Sequence, residues 1–145
     1  MKRLNFLLIV LCLGFTFNVS AQKRANIWKF GYGGGIDFTD INNPVSITSA
    51  IKNIQEGATV ISDENGNLQF YSDGVNLYDK NDDPIPGGTN MGGDPSTAQA
   101  GLIIPNPIDN DLYYLFSQSG IVAGGGSTGL KYSIIDMSDN GGLGG

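Results

Sequence analysis

Between Glu56 and Tyr78 the chain reads EGATVISDENGNLQFYSDGVNLY, with two turn signals set among three short apolar runs. An Asn-Gly or Asp-Gly pair in such a setting favours a tight hairpin, because both positions tolerate the positive φ of a type I′ turn. Asn65-Gly66 and Asp73-Gly74 therefore predict strands over Ala58–Ser62, Leu68–Ser72 and Val75–Tyr78. Alternation places Leu68 and Phe70 on one face and Gln69 and Tyr71 on the other, then Val75 and Leu77 against Asn76 and Tyr78. The polar cluster from Asp79 to Pro84 ends the third run. The stretch is read as an antiparallel three-strand meander.

The same grammar runs through the rest of the chain. Asn26–Gly31 reads as a first strand, Tyr32–Gly35 as a turn, and Ile36–Phe38 as a resumed strand. Thr39–Asn53 reads as a loop punctuated by Pro44, with Val45–Ile47 extended. The Gly33–Gly35 run lacks the Lys-Ser/Thr pair and the following helix that a phosphate loop needs. Ile85–Ala98 reads as a long loop, Gln99–Ile104 as a strand and Pro105–Asn110 as a turn. Asp111–Ser117 and Leu130–Asp136 read as strands around a Gly-rich loop, before a polar tail over Ser138–Gly145. With 22 glycines and no long helical period after the N-terminus, the fold class is all-β.

Two blade-like units, residues 56–84 and 98–137, recur at a spacing of about 40–45 residues, the period of a propeller blade. Ile103-Ile104, Tyr113–Phe116 and Ile134-Ile135 are apolar on both strand faces. A blade covered by neighbours on both sides wants that pattern, whereas a sandwich strand wets one face and alternates. The expected architecture is about two blades of an incomplete β-propeller over residues 22–145, with a β-sandwich as the alternative. Two blades cannot close a ring, so the chain is expected to be a fragment whose remaining blades lie in a longer chain.

Residues 1–21 carry a secretory pattern: Lys2 and Arg3, an apolar run over Leu4–Phe17, and small residues at Val19-Ser20-Ala21 before a cut ahead of Gln22. The apolar run is too short for a comfortable membrane span, so no span is expected after cleavage. Cys12, the only cysteine, lies in this leader and lacks the small residues of a lipidation signal. The expected location is outside the cell or on its surface. The chain carries 8 basic and 14 acidic residues, and losing Lys2 and Arg3 moves its net charge from −6 to −8. No basic patch could neutralise phosphates, so the acidic balance argues against a nucleic-acid partner and otherwise reads as solubility. Histidine is absent, which removes the commonest general base and metal ligand and rules out a serine triad within the chain.

Asp63-Glu64-Asn65-Gly66-Asn67 and Asp79-Lys80-Asn81-Asp82-Asp83 space oxygen side chains by two, as a calcium loop begins. Leu68 and Pro84 stand where that loop needs its turning glycine, so both read better as turns. Calcium is the one cofactor left open. Glu56, Asp73 and Asp94 are candidates for a glycosidase pair, though nothing in their spacing singles one out. Tyr32, Tyr71 and Tyr78 could stack on sugar rings or fill the core. No catalytic, cofactor-binding or metal residue is assigned.

Taken together, Trp28-Lys29-Phe30-Gly31, Ile36-Asp37-Phe38, Glu56-Gly57-Ala58 and Ser62-Asp63 followed by Gly66-Asn67-Leu68-Gln69-Phe70-Tyr71-Ser72-Asp73-Gly74 form a recognisable run. Ser96-Thr97-Ala98-Gln99, Tyr113-Tyr114-Leu115-Phe116, Tyr132-Ser133-Ile134-Ile135-Asp136-Met137 and Asn140-Gly141-Gly142-Leu143-Gly144 continue it. The run resembles the N-terminal repeat region of large secreted Bacteroidota proteins associated with gliding motility or carrying a type IX secretion sorting domain. Lys29 stands for the family's usual aromatic and Gln69 for a leucine, both expected at blade surfaces. The resemblance implies a propeller-like region at the cell surface and no catalytic residues. The expected function is a non-enzymatic adhesion module that binds glycan or surface protein. The alternatives are a polysaccharide hydrolase using paired carboxylates, and a structural spacer.

Overall fold

The computed structural model describes residues 23–53, 56–94, 96–99, 101–120 and 129–145. The leader and most of the Gly-rich loop before Leu130 lie outside the described residues. The chain is all-β: nine strands form three antiparallel sheets of three, preceded by a short 3-10 turn at Lys23–Ala25.

The central sheet holds β4 (Thr59–Ser62), β5 (Leu68–Ser72) and β6 (Leu77–Asp79), with Val60, Tyr71 and Tyr78 in one cross-strand row. This is the meander legible in the sequence, with two local differences. Among the described residues of the turns, Gly66 and Gly74 take positive φ, but Asn65 and Asp73 do not. The reason is side-chain competition. Asp63 Oδ1 accepts the amides of Asn65 and Asn67, and Asp73 Oδ1 accepts those of Val75 and Asn76. These Asx turns hold longer loops than a two-residue hairpin, and β6 starts two residues late because its first amides are already taken. A bulge between Ile61 and Ser62 also breaks the simple alternation, and Leu68 packs with the Tyr71 cluster rather than with Phe70.

The last sheet holds β7 (Gly101–Pro105), β8 (Leu112–Gln118) and β9 (Leu130–Asp136). Ile103, Tyr113, Leu115 and Ile135 face the central sheet and join Ile61, Phe70, Leu77 and Ile85 in the main core. Phe70 and Tyr113 meet edge to face at 5.3 Å. Each of these side chains contributes about 1.5–3 kcal/mol on burial, so this interface is the largest stabilising element of the described chain.

The first sheet holds β1 (Ile27–Lys29), β2 (Gly34–Asp37) and β3 (Val45–Thr48). The sequence marks its pieces as extended but does not gather them into a third unit. Gly34 and Gly35 belong to β2 rather than to the turn, which Tyr32 and Gly33 make alone at positive φ. Gly35 is required there: a Cβ would stand 2.6 Å from the Trp28 carbonyl oxygen and 3.0 Å from Ile47 Cγ1.

The central sheet is thus covered on one face by β7–β9. Its other face carries Val60, Tyr71 and Tyr78, packed with Ala50 and Ile51 from the segment after β3. The leading strands are neighbours, with β4 touching both β1 and β7. Gly101 opens β7 beside Thr59, which opens β4. Ile85–Ala98, a loop by sequence, begins as a fourth irregular rung: residues 83–91 run antiparallel along β6, with a bridge from Pro84 to Tyr78.

Candidate functional site

Lys29 alternates with exposed Trp28 and Phe30, so the fold turns it inward, where its ammonium must find oxygen. It is 6 % exposed, against the expectation of a surface position. Its Nζ donates to Thr48 O and to Asp82 Oδ1, both at 2.7 Å, and lies 4.8 Å from the Tyr71 ring centre. Tyr71 Oη donates to Asp82 Oδ1 at 2.7 Å and accepts the Ala50 amide at 2.8 Å, while Thr48 Oγ1 donates to Asp82 Oδ2 at 2.9 Å. Asp82 reaches this position from the turn after β6, at φ 69°, and Asp79 Oδ1 holds that turn by accepting the amides of Asn81 and Asp83. The turn reading of Asp79–Asp83 thus holds, and the turn also delivers a counter-ion across a sheet boundary.

Burial would raise the Asp82 carboxyl's pKa, but hydrogen bonds from Lys29, Tyr71 and Thr48 together outweigh it and hold the group below the usual carboxylate range. The Tyr71 phenol is pushed well above its usual range by burial first, and then by its bond to Asp82. Every polar atom of this cluster has a partner, so its chemistry is that of a clamp between the first two sheets, with no free base or nucleophile.

Two clefts flank the clamp. One, of about 280 Å³, is lined by Trp28, Phe30, Glu56, Ala58 and Val60, where the end of β1 meets the start of β4. Trp28 packs on Phe38 at 5.1 Å and donates Nε1–H to Ala25 O, so its ring is fixed while half exposed. The other, of about 270 Å³, is lined by Lys52, Asn53, Asp73, Val75, Asn76 and Tyr78. Tyr78 stacks on Tyr71 at 5.3 Å and is half-buried. Burial, and then the charge of Asp73, raise its pKa.

The three candidate carboxylates do not line a common cleft: Glu56 belongs to the first, Asp73 to the second and Asp94 to neither. Asp94 Oδ1 is taken by the Ser96 amide and hydroxyl, which lower its pKa. The oxygen-rich loop at Asp63 also spends its carboxylate on its own backbone, and among the described residues no three acidic side chains converge as a metal site. Of the candidate aromatics, Tyr71 is core, Tyr32 is 82 % exposed at a turn, and Tyr78 lines the second cleft. The sequence reading missed Lys29 and Asp82. A lysine in an aromatic's place was the available signal, but its partner is 53 residues away. Among the described residues no helix is long and apolar enough to cross a membrane. No protein-family model matches the chain, and neither does any curated protein or solved structure.

Proposed function

We propose that the chain is a secreted or cell-surface binding module of β-propeller type, without a catalytic role, that recognises a glycan or a surface protein through the rim between its sheets. One observation carries this reading: the central sheet is apolar on both faces and is packed on both, the relation a propeller repeats around its axis. The secretory pattern of residues 1–21 and the resemblance to the repeat region of gliding-associated Bacteroidota proteins support the location.

The cleft beside Tyr78 is the ligand site of this reading. A half-buried aromatic ring next to Asn53, Asn76, Asp73 and Lys52 offers a stacking surface with several donors and acceptors, which suits a hydroxyl-rich ligand. The test is a glycan array probed with the exported protein and its Tyr78→Ala and Asn76→Ala variants. Retention of a glycan by the wild type, with loss in both variants and no release of reducing sugar, is the expected result. Hydrolysis of the retained polymer would sink the reading.

A further inference from the structure

The cleft at the end of β1 is built differently from the one beside Tyr78. Alternation sends Lys29 inward and leaves Trp28 and Phe30 on the other side, 47 and 42 % exposed. The two rings stand at 87° with centroids 6.3 Å apart, so they form a corner rather than a flat patch. Neither is loosely held. Trp28 rests on Phe38 and spends its one polar group, Nε1–H, on Ala25 O, while the Phe30 amide donates to Gly34 O at 2.8 Å. The corner therefore offers a ligand aromatic surface, with no side-chain donor left over.

Ala58 and Val60, at the start of β4, continue the lining, and Glu56 completes it. Both walls thus belong to sheets already packed together, at the seam where β1 and β4 touch. Glu56 is exposed, and among the described residues its carboxylate has no hydrogen bond or ion pair. Lys29 also lines the cleft, but its ammonium is held at 2.7 Å by both Asp82 and Thr48 O and is not a counter-ion for Glu56. The cleft is left with one uncompensated negative charge beside two rings whose faces are themselves negative.

We propose that the corner of Trp28, Phe30 and Glu56 binds a small organic cation carrying a methylated ammonium group of the choline type. The charge of such a group is attracted by the ring faces and by Glu56, and its methyl groups match Ala58 and Val60. A quaternary nitrogen donates no hydrogen bond, so one carboxylate suffices where a primary ammonium or a guanidinium would call for several acceptors. A divalent metal ion would need several oxygen ligands, and among the described residues no three acidic side chains converge. An anion would be repelled by Glu56, and a purely apolar occupant would leave its charge unpaired. The corner shares no lining residue with the cleft beside Tyr78, so a negative glycan array leaves the proposal untouched.

Trp28 is the only tryptophan in the chain, so its emission reports on this corner alone. The experiment titrates the full chain with choline chloride, with potassium chloride at equal ionic strength as the blank. The uncharged tert-butyl isostere of choline, in which carbon replaces nitrogen, is titrated in parallel. Choline gives a saturable change in Trp28 emission, half complete at roughly 1–10 mM, and the isostere binds about fivefold or more weakly. Glu56→Gln weakens choline about two- to fivefold. Phe30→Leu, which keeps apolar bulk and removes the ring, weakens it as well, and the circular dichroism of both variants is unchanged. Phosphatidylcholine vesicles form a second arm: a response to choline and to vesicles assigns a lipid headgroup, and a response to choline alone assigns a free small molecule. Three results would overturn the proposal: no response to choline beyond the salt blank, equal midpoints for choline and its isostere, or an unchanged choline midpoint in Glu56→Gln, whose exposed position leaves the fold intact.

Discussion

At the scale of single residues, the energetics concentrate on Lys29. Its ammonium sits among Thr48 O, Asp82 Oδ1 and the Tyr71 ring with almost no water contact. Truncating one partner of a buried pair leaves the other charge uncompensated, so Lys29→Ala is expected to lose about 3–5 kcal/mol, read from the urea midpoint. Asp82 sets a pH dependence of known sign. Its folded-state pKa lies below the ordinary 3.8, so the unfolded chain binds more protons in that window and stability rises with pH. The contribution is complete above about pH 5 and is lost as pH falls through the lowered value. Asp82→Asn should remove this part of the acid slope when urea midpoints are compared from pH 2 to 7, and an unchanged slope would contradict it. Asp63, Asp94 and Asp136 are also held low by their turns, so the difference between wild type and variant is the informative quantity.

At the scale of elements, each strand rests on signals within a few residues of itself, which is why most strands were legible. Alternation over Leu130–Asp136 and the Gly66 and Gly74 turns needed no distant information. Residues 83–91 were not legible as a strand because Pro84, Pro86, Gly87 and Gly88 erase any alternation, and β6 imposes the extended path from outside. Lys29 could not be read as buried for a similar reason: its counter-ion belongs to another sheet's turn. The candidate carboxylates were open in the sequence, and only the placement of Glu56 and Asp73 in separate clefts set them apart. The first sheet offers a paired test. Gly35→Ala drives a methyl into the Trp28 carbonyl and should cost about 1–3 kcal/mol in thermal or urea unfolding. At Gly34 nothing lies within 4 Å of the added Cβ, so Gly34→Ala should be neutral or slightly stabilising.

At the scale of the whole molecule, the three sheets bury the apolar residues between them and leave apolar residues at both ends of the row. Trp28 and Phe30 stay about half exposed on the first sheet, as do Leu102, Ile104, Tyr132 and Ile134 on the last. Patches of this kind on a folded chain mark association surfaces. The folded chain should therefore bind an apolar-surface dye, and Leu102→Lys with Ile104→Lys should lower that signal without lowering the unfolding midpoint. A fall in the midpoint would show that this face belongs to the core. The proposed propeller module predicts the first outcome, because each end face awaits a neighbouring sheet.

Lys29 and Asp82 are 53 positions apart, and that gap fixes an order in time. A polypeptide threaded end-first through a narrow channel presents its lysine long before its aspartate. Until the later turn arrives, the early ribbon carries a lone positive group that resists being shut away from water. In a chain that emerges N-terminus first, the first three strands are therefore expected to gain this clamp only once the turn carrying Asp82 has followed.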